Sequence, residues 1–238
     1  MPFYSQTIAR EGVTHDHRDP GPLPIAASQV PAAGHGAANL YPGRLHSRIH
    51  ARIPHFLPCL LGLYRADGTL VGACGLNHAS EGPLYLEQYL EQPIEAAINT
   101  RLGVYPARNR IIEVGNLACS EPGNARLMFA ALCRLLCENA LDYVVFTGTA
   151  KLRNSFARLQ LNPVELAPAQ AHQVGADADA WGEYYRCQPK VMVGDINQGR
   201  EVLAQRSLLL NLLAPMPTLF EDAGKSSDNQ THQKRCAQ

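Results

Sequence analysis

Residues 110–126 read RIIEVGNLACSEPGNAR, and this stretch decides the fold. Arg110–Ala118 has the β-branched, apolar character of a strand. Gly115 sits inside it, which marks a bulge or the close approach of another backbone. The strand runs through the turn SEPGN into a helix from Asn124 to Asn139. That helix is apolar nearly all round (Leu127, Met128, Phe129, Leu132, Leu135 and Leu136), which predicts burial. Asp142–Thr149, DYVVFTGT, follows as a short central strand. Residues 151–160 form a further helix, stopped at Asn162-Pro163. The order strand, helix, strand, helix makes the two strands parallel, joined by a crossover.

Upstream, LPCLLGLYRADGTLVGACGLNH places two apolar runs around Ala66-Asp67-Gly68-Thr69. Asp-Gly is a strong hairpin signal, so Leu57–Arg65 and Leu70–His78 are antiparallel strands. Their near-continuous apolar character predicts that both faces are covered. Leu84–Leu90 fits either a strand or a helix start, and Gln92–Leu102 reads as a helix with Pro93 at its beginning. Leu40–Ile53 is weakly helical, with Arg44, Arg48 and Arg52 on one face. Downstream, 164–180 reads as irregular or short elements, Lys190–Ile196 as a late strand and Arg200–Leu213 as a helix. The fold class is α/β (α+β): a mixed central sheet with an antiparallel front half and a parallel back half. A Pro/Gly/Ala/His-rich segment, 1–38, and a polar tail, 215–238, are expected to be flexible around one domain at 39–214.

The chain has 238 residues, with 21 Lys+Arg against 21 Asp+Glu. A zero formal charge argues against a nucleic-acid coat, which needs surplus cations. No apolar run reaches the roughly 18–20 residues that cross a bilayer. The first thirty residues lack the charged start and apolar block of a secretory signal, so a soluble, cytoplasmic protein is expected. Seven cysteines, an odd number without a CxxC pair, read as reduced core thiols. His46 and His50 have the i, i+4 spacing of paired metal ligands. No carboxylate stands in an HExxH position and no third ligand is evident, so no metal is expected.

Four side chains stand out as catalytic candidates. Glu113 lies mid-strand among apolar residues, where a carboxylate is costly unless paired or at a cleft. It is either an outward-facing residue or a general base. Period-2 geometry turns Asn116 to the opposite face from Glu113, unless a bulge at Gly115 shifts the phase. Glu87 and Tyr89 share a face if their segment is extended; Glu87 beside Glu113 could then hold a cationic acceptor or relay a proton through water, or it is an ordinary surface carboxylate at a helix start. The turn at Gly123 and Asn124, with Ala125 and Arg126 in the first helical turn, offers an anion site suited to a pyrophosphate or a phosphopantetheine phosphate. Thr147 ends the later strand, where its hydroxyl either bonds a ligand or reflects β-propensity alone.

The segments YLEQYLEQPIE, EVGNLA, FTGT-x-x-LRNSF-x-RL and WGEYY-x-x-x-P-x-V resemble the family of thermostable haemolysins, over roughly Leu57 to Leu203. The resemblance implies a fold similar to the GCN5-related N-acetyltransferases, and nearest to the acyl-homoserine-lactone autoinducer synthases. It implies that the strands Ile111–Ala118 and Tyr143–Thr149 splay apart, with Gly115 at the opening. A donor's pantetheine would lie in the gap and bond the first strand near Leu117 and Ala118, with its phosphates on the turn that follows. A glutamate on this strand, here Glu113, and an asparagine in the helix after the second, here Asn154, would belong to the site. Trp181, Tyr184 and Tyr185 would wall an acyl pocket or simply pack. The Q/R-x-x-G-x-G/A phosphate loop is absent, so acyl carrier protein is as good a donor candidate as acyl-CoA.

These features lead to an acyltransferase that moves an acyl group from a CoA or carrier-protein thioester to a small-molecule amine. A backbone N–H near Asn116–Leu117 would hold the oxyanion. The alternatives are a haemolysin acting directly on lipid bilayers, and a non-catalytic domain that binds acyl ligands.

Overall fold

The structure is a computed structural model and describes residues 26–31, 56–121, 124–206 and 219. Seven strands form one sheet: β1 Ala26–Pro31, β2 Cys59–Tyr64, β3 Leu70–His78, β4 Ile111–Cys119, β5 Tyr143–Gly148, β6 Val164–Pro168 and β7 Lys190–Asp195. Their spatial order is β1-β2-β3-β4-β5-β7-β6. Among the described residues four α-helices accompany it: α1 Ile94–Leu102, α2 Asn124–Glu138, α3 Ala150–Arg158 and α4 Ile196–Arg206.

The β2–β3 hairpin forms as its turn chemistry dictates. Asp67 accepts the Thr69 N–H at 2.8 Å, and Gly68 takes φ +81. Residues 60–63 and 71–76 are buried without a break, so both faces of these strands are covered. On one face, α2 and α4 pack Leu135, Leu136 and Leu203 against Leu61, Leu76 and Ile112. On the other, α1 and the turns of 79–90 and 171–187 bury Ile94, Ile98 and Tyr89 against Ile111, Val145 and Val191. Helix α1 ends at Gly103, whose φ of +72 and N–H to the Asn99 carbonyl close the helix in the left-handed way glycine allows.

Among the described strands only β4 and β5 run parallel, and only Ile111, Ile112 and Glu113 of β4 keep register with Tyr143, Val144 and Val145. Beyond Glu113 the two strands separate. On its other side β4 stays paired with β3, across an irregularity. Gly75 faces Gly115 and Ala73 faces Ala118, so β4 spends one extra residue there. That residue is not Gly115 itself. Asn116 takes the left-handed conformation, φ +50, which asparagine tolerates better than most side chains. Val114 and Leu117, three apart, therefore both pack on the α2 face. Gly115 and Asn116 are left on the other face, where Leu57 crosses them.

Several expectations change. Ala26–Pro31, inside the 1–38 stretch read as flexible, is an edge strand paired with β2. Its proline and small residues hid it. Leu219, inside the expected tail of 215–238, is buried in the α2/α4 core, and its N–H donates to Asn139 Oδ1 at 2.7 Å. Tyr85–Tyr89, in the segment left open between a strand and a helix start, is a 3-10 turn. The splayed strands β4 and β5 are parallel as expected, and beyond them β7 pairs antiparallel with both β5 and β6. The last helix begins four residues earlier than read, at Ile196. The helix at Leu40–Ile53, with its arginine stripe, lies outside the described residues.

A Cβ at Gly75 would stand 2.7 Å from Asn116 Oδ1 and 2.8 Å from Leu57 Cβ. Gly75→Ala is therefore expected to cost about 1–3 kcal/mol of stability through overpacking at the bulge, read as a lower midpoint in urea unfolding.

Candidate active site at the β4–β5 seam

The separation of β4 from β5 opens a cleft of about 1030 Å³ that passes through the sheet. Val114, Gly115, Asn116 and Leu117 line one wall, and Val144, Phe146 and Thr147 the other. On the α2 face the lining is apolar, with Phe129, Leu132, Leu136, Phe156 and Val202. On the opposite face it is aromatic and acidic, with Tyr85, Tyr89, Trp181, Tyr184 and Glu113. Past Glu113 the side of the β4 backbone that faces β5 meets no strand partner there. Such an edge can take an extended arm as an added strand.

Glu113 stands where the wedge closes and is only 4% exposed. Its two carboxylate oxygens accept the N–H groups of Tyr85 (2.7 Å) and Leu86 (3.0 Å). Burial pushes its pKa up to about 7, against the lowering effect of these two N–H groups and of Asn77. A carboxylate poised near neutrality is suited to accepting and returning a proton. Asn77, directly opposite Glu113 on β3, also lines the cleft. Nothing singled it out in the sequence except polarity at the end of an apolar run.

Asn116 reaches the same face as Glu113 because the bulge shifts the phase. Its Oδ1 accepts the Leu57 N–H at 3.0 Å. Tyr89 is buried in the cleft wall, and its hydroxyl bonds that of Tyr185 at 2.8 Å. Burial, then the Tyr185 hydroxyl, raises its pKa well above the usual phenol value, so Tyr89 stays protonated. Leu117 and Thr147 line the two walls, as required of gap residues.

Other site candidates fall elsewhere. Glu87 does not line the cleft. It accepts the N–H groups of Leu84 and Ile94 and both terminal nitrogens of Arg108, at 2.7–3.0 Å. Burial raises its pKa, but these partners outweigh that and hold it below the usual value. The 3-10 turn directs Glu87 into this ion pair, which corrects its reading as a proton relay. Ala118 is back in register with Ala73 and clear of the cleft. Asn124 spends its amide on Ser120 Oγ at 2.7 Å, Arg126 is exposed, and neither Ala125 nor these two lines the cleft. The donor-phosphate reading of this helix start therefore lacks a wall in common with the seam. Gly123 lies outside the described residues. Asn154 is exposed on α3 away from the cleft, because the helix phase turns Leu152 and Phe156 inward instead.

Arg108 was not legible in the sequence. Besides Glu87 it bonds Glu95 (2.7 Å) and the carbonyls of Ala79 (2.7 Å) and Gly82 (2.9 Å). It thereby ties down the segment whose N–H groups hold Glu113. No group of three His, Cys, Asp or Glu able to hold a metal is found among the described residues. His46 and His50 lie outside them. Cys59, Cys74, Cys119, Cys133, Cys137 and Cys187 are free thiols.

The family model for thermostable hemolysin matches residues 42–200. The chain belongs to this family. Among solved structures it is similar to TofI in an apo form, at 16% identity and a TM-score of 0.50, over 79% of this chain and 97% of that one. It is also similar to FeeM, an N-acyl amino acid synthase from uncultured soil microbes, at 14% identity and a TM-score of 0.49, over 81% and 99%. A CoA-dependent acyl-homoserine lactone synthase, BjaI, matches at 14% identity and 0.46, over 67% of each chain. No curated protein sequence matches. The fold of this hemolysin-family chain is the N-acetyltransferase-like one, a mixed sheet opened at a single parallel seam.

Two outcomes follow for the residues around the cleft. Arg108→Ala strands the half-buried Glu87 and Glu95 carboxylates, and a loss of about 2–4 kcal/mol is expected in thermal or urea unfolding. The Glu113 pKa is raised from 4.5 to about 7 on folding, so the native state binds more protons than the unfolded state between those values. Stability is thus expected to fall as pH rises from about 4.5 to about 7. Wild type and Glu113→Gln compared by urea unfolding across that range should show this slope in the wild type only.

Proposed function

We propose that the protein is an N-acyltransferase that moves an acyl group from a CoA or acyl-carrier-protein thioester to an amine. The observation that carries this reading is the opened β4–β5 seam with a buried, near-neutral carboxylate at its closed end. A pantetheine-like arm is an extended chain of amides, and the free edge of β4 from Val114 to Leu117 offers it strand-like hydrogen bonds. The apolar chamber against α2 and α3, lined by Phe129, Leu132 and Phe156, suits a hydrocarbon chain longer than acetyl.

In this reading the free amine attacks the thioester carbon and a C–N bond forms. The carbonyl oxygen becomes an oxyanion, held by a backbone N–H of the Asn116–Leu117 bulge. Glu113 takes the proton that the attacking nitrogen gives up. The C–S bond then breaks, and the proton passes to the leaving sulfur, so a thioester and an amine become an amide and a thiol. Tyr85 and Leu86 orient the carboxylate, and Tyr89 stays a neutral wall residue. Asn124, Arg126 and Asn154 take no part in the step.

The family's description favours a second reading, direct lysis of lipid bilayers. No helix among the described residues is long and apolar enough to cross a membrane.

The test is to incubate the purified protein with panels of acyl-CoA, acyl carrier protein and amines while following thiol release and amide mass. Release dependent on both partners is expected, with the acidic limb of kcat/KM set by an apparent pKa near 7. Glu113→Gln should lower the rate by about 10²–10⁴-fold. Absence of donor binding and of thiol release across the whole panel would refute the proposal. Dye release from liposomes, unchanged by Glu113→Gln, would replace it with the lytic reading.

A further inference from the structure

The face of the cleft that carries Glu113 is built differently from the face that carries the apolar chamber. Trp181 and Tyr184 have ring centroids 5.2 Å apart, and Tyr85 lies 6.3 Å from Trp181. The polar tips of these rings are satisfied within the wall. Trp181 Nε1 donates to the Tyr85 hydroxyl at 3.2 Å, and Tyr184 donates to the Thr147 carbonyl at 3.4 Å. The Tyr89 hydroxyl bonds Tyr185. With those tips engaged, what remains for a ligand is ring surface. Expected either to wall an acyl pocket or simply to pack, Trp181 and Tyr184 line the same cleft as Glu113, and Trp181 bonds Tyr85, whose backbone N–H holds the carboxylate.

Charge narrows the choice further. The one cationic side chain that lines the cleft among the described residues is Lys151, exposed at the start of α3. Arg108 is bound to Glu87 and Glu95 and does not line it. An acceptor amine within reach of Glu113 would bring any α-carboxylate of its own next to a second carboxylate in a water-poor site, where like charges repel strongly. A cationic ammonium is attracted both to that carboxylate and to ring faces.

We infer that the acceptor is an aryl-alkyl amine without an α-carboxylate, its ring stacked against Trp181 and Tyr184 and its nitrogen at Glu113. This inference rests on the acyltransferase reading and specifies its acceptor. The bound ammonium first gives one proton to solvent; the free amine then takes the acyl group, and its second N–H proton passes by way of Glu113 to the departing thiol.

The experiment is a competition read by mass spectrometry. One acyl-thioester donor is offered with equimolar phenylethylamine, tyramine, hexylamine, phenylalanine and tyrosine. Binding of a non-transferable thioether analogue of the donor is measured in parallel by calorimetry. The aryl-alkyl amides are expected at least 10-fold above the hexylamide and above the two N-acyl amino acids. Trp181→Ala should cut the aryl-over-alkyl preference to below about 3-fold by raising KM for the aryl amines, and Trp181→Phe should restore it. Analogue binding by each variant serves as the control for an intact fold. Preferred acylation of phenylalanine or tyrosine, or an aryl preference that survives in a donor-binding Trp181→Ala, overturns the acceptor assignment and leaves the transferase reading standing. No binding of the analogue by wild type, together with no product from any amine, overturns both.

Discussion

Strand β4 holds β5 for three residues and then leaves it, and everything that can be done in this molecule depends on that departure. Parallel strands that share a crossover helix normally zip along their length, because each unpaired amide and carbonyl is costly. Here the bulge at Asn116 shifts β4 by one residue on its β3 side. The Gly75–Gly115 pair below it leaves no side chains to oppose the crossing of Leu57. The strand stays fastened to β3 while it turns away from β5. A crevice through the sheet results, rather than a groove upon it.

Placing Glu113 at the end of that crevice is costly on its own, since burial disfavours the anion. The fold offsets part of this with two backbone N–H groups from a 3-10 turn. That turn is itself held by Arg108 through Glu87 and through the Ala79 and Gly82 carbonyls. The site is thus a relay of supports. A guanidinium fixes a turn, the turn's amides fix a carboxylate, and the carboxylate meets the cleft. The two carboxylates have opposite fates for a plain reason. Glu87 has a cation within hydrogen-bonding distance that holds its pKa down, whereas the donors to Glu113 among the described residues are neutral and burial pushes its pKa up to about 7.

Much of the sheet was legible because its signals are local. Asp67-Gly68 announced the hairpin, the mid-strand Gly115 announced the irregularity, and the apolar α2 announced its own burial. What escaped was non-local. Ala26–Pro31 carries no strand pattern of its own and is a strand only because β2 lies beside it. Val164–Pro168 likewise pairs with a later strand, Lys190–Asp195. Asn124, Arg126 and Asn154 had suitable chemistry and a suitable place along the chain. Helix phase pointed them away from the seam, and phase relative to a distant wall cannot be read from a single segment.

The sequence by itself determined the hairpin, the parallel relation of β4 and β5 and the presence of an acidic residue in the middle of an apolar strand, because periodicity, turn residues and charge are properties of neighbours in the chain. Only the tertiary structure decided that Glu113 is buried and held by amides, that Glu87 is bound to Arg108, and that Trp181 packs on and bonds Tyr85 in the cleft wall. Those facts are distances between residues dozens of positions apart, and burial and desolvation have no value until the chain has closed around them.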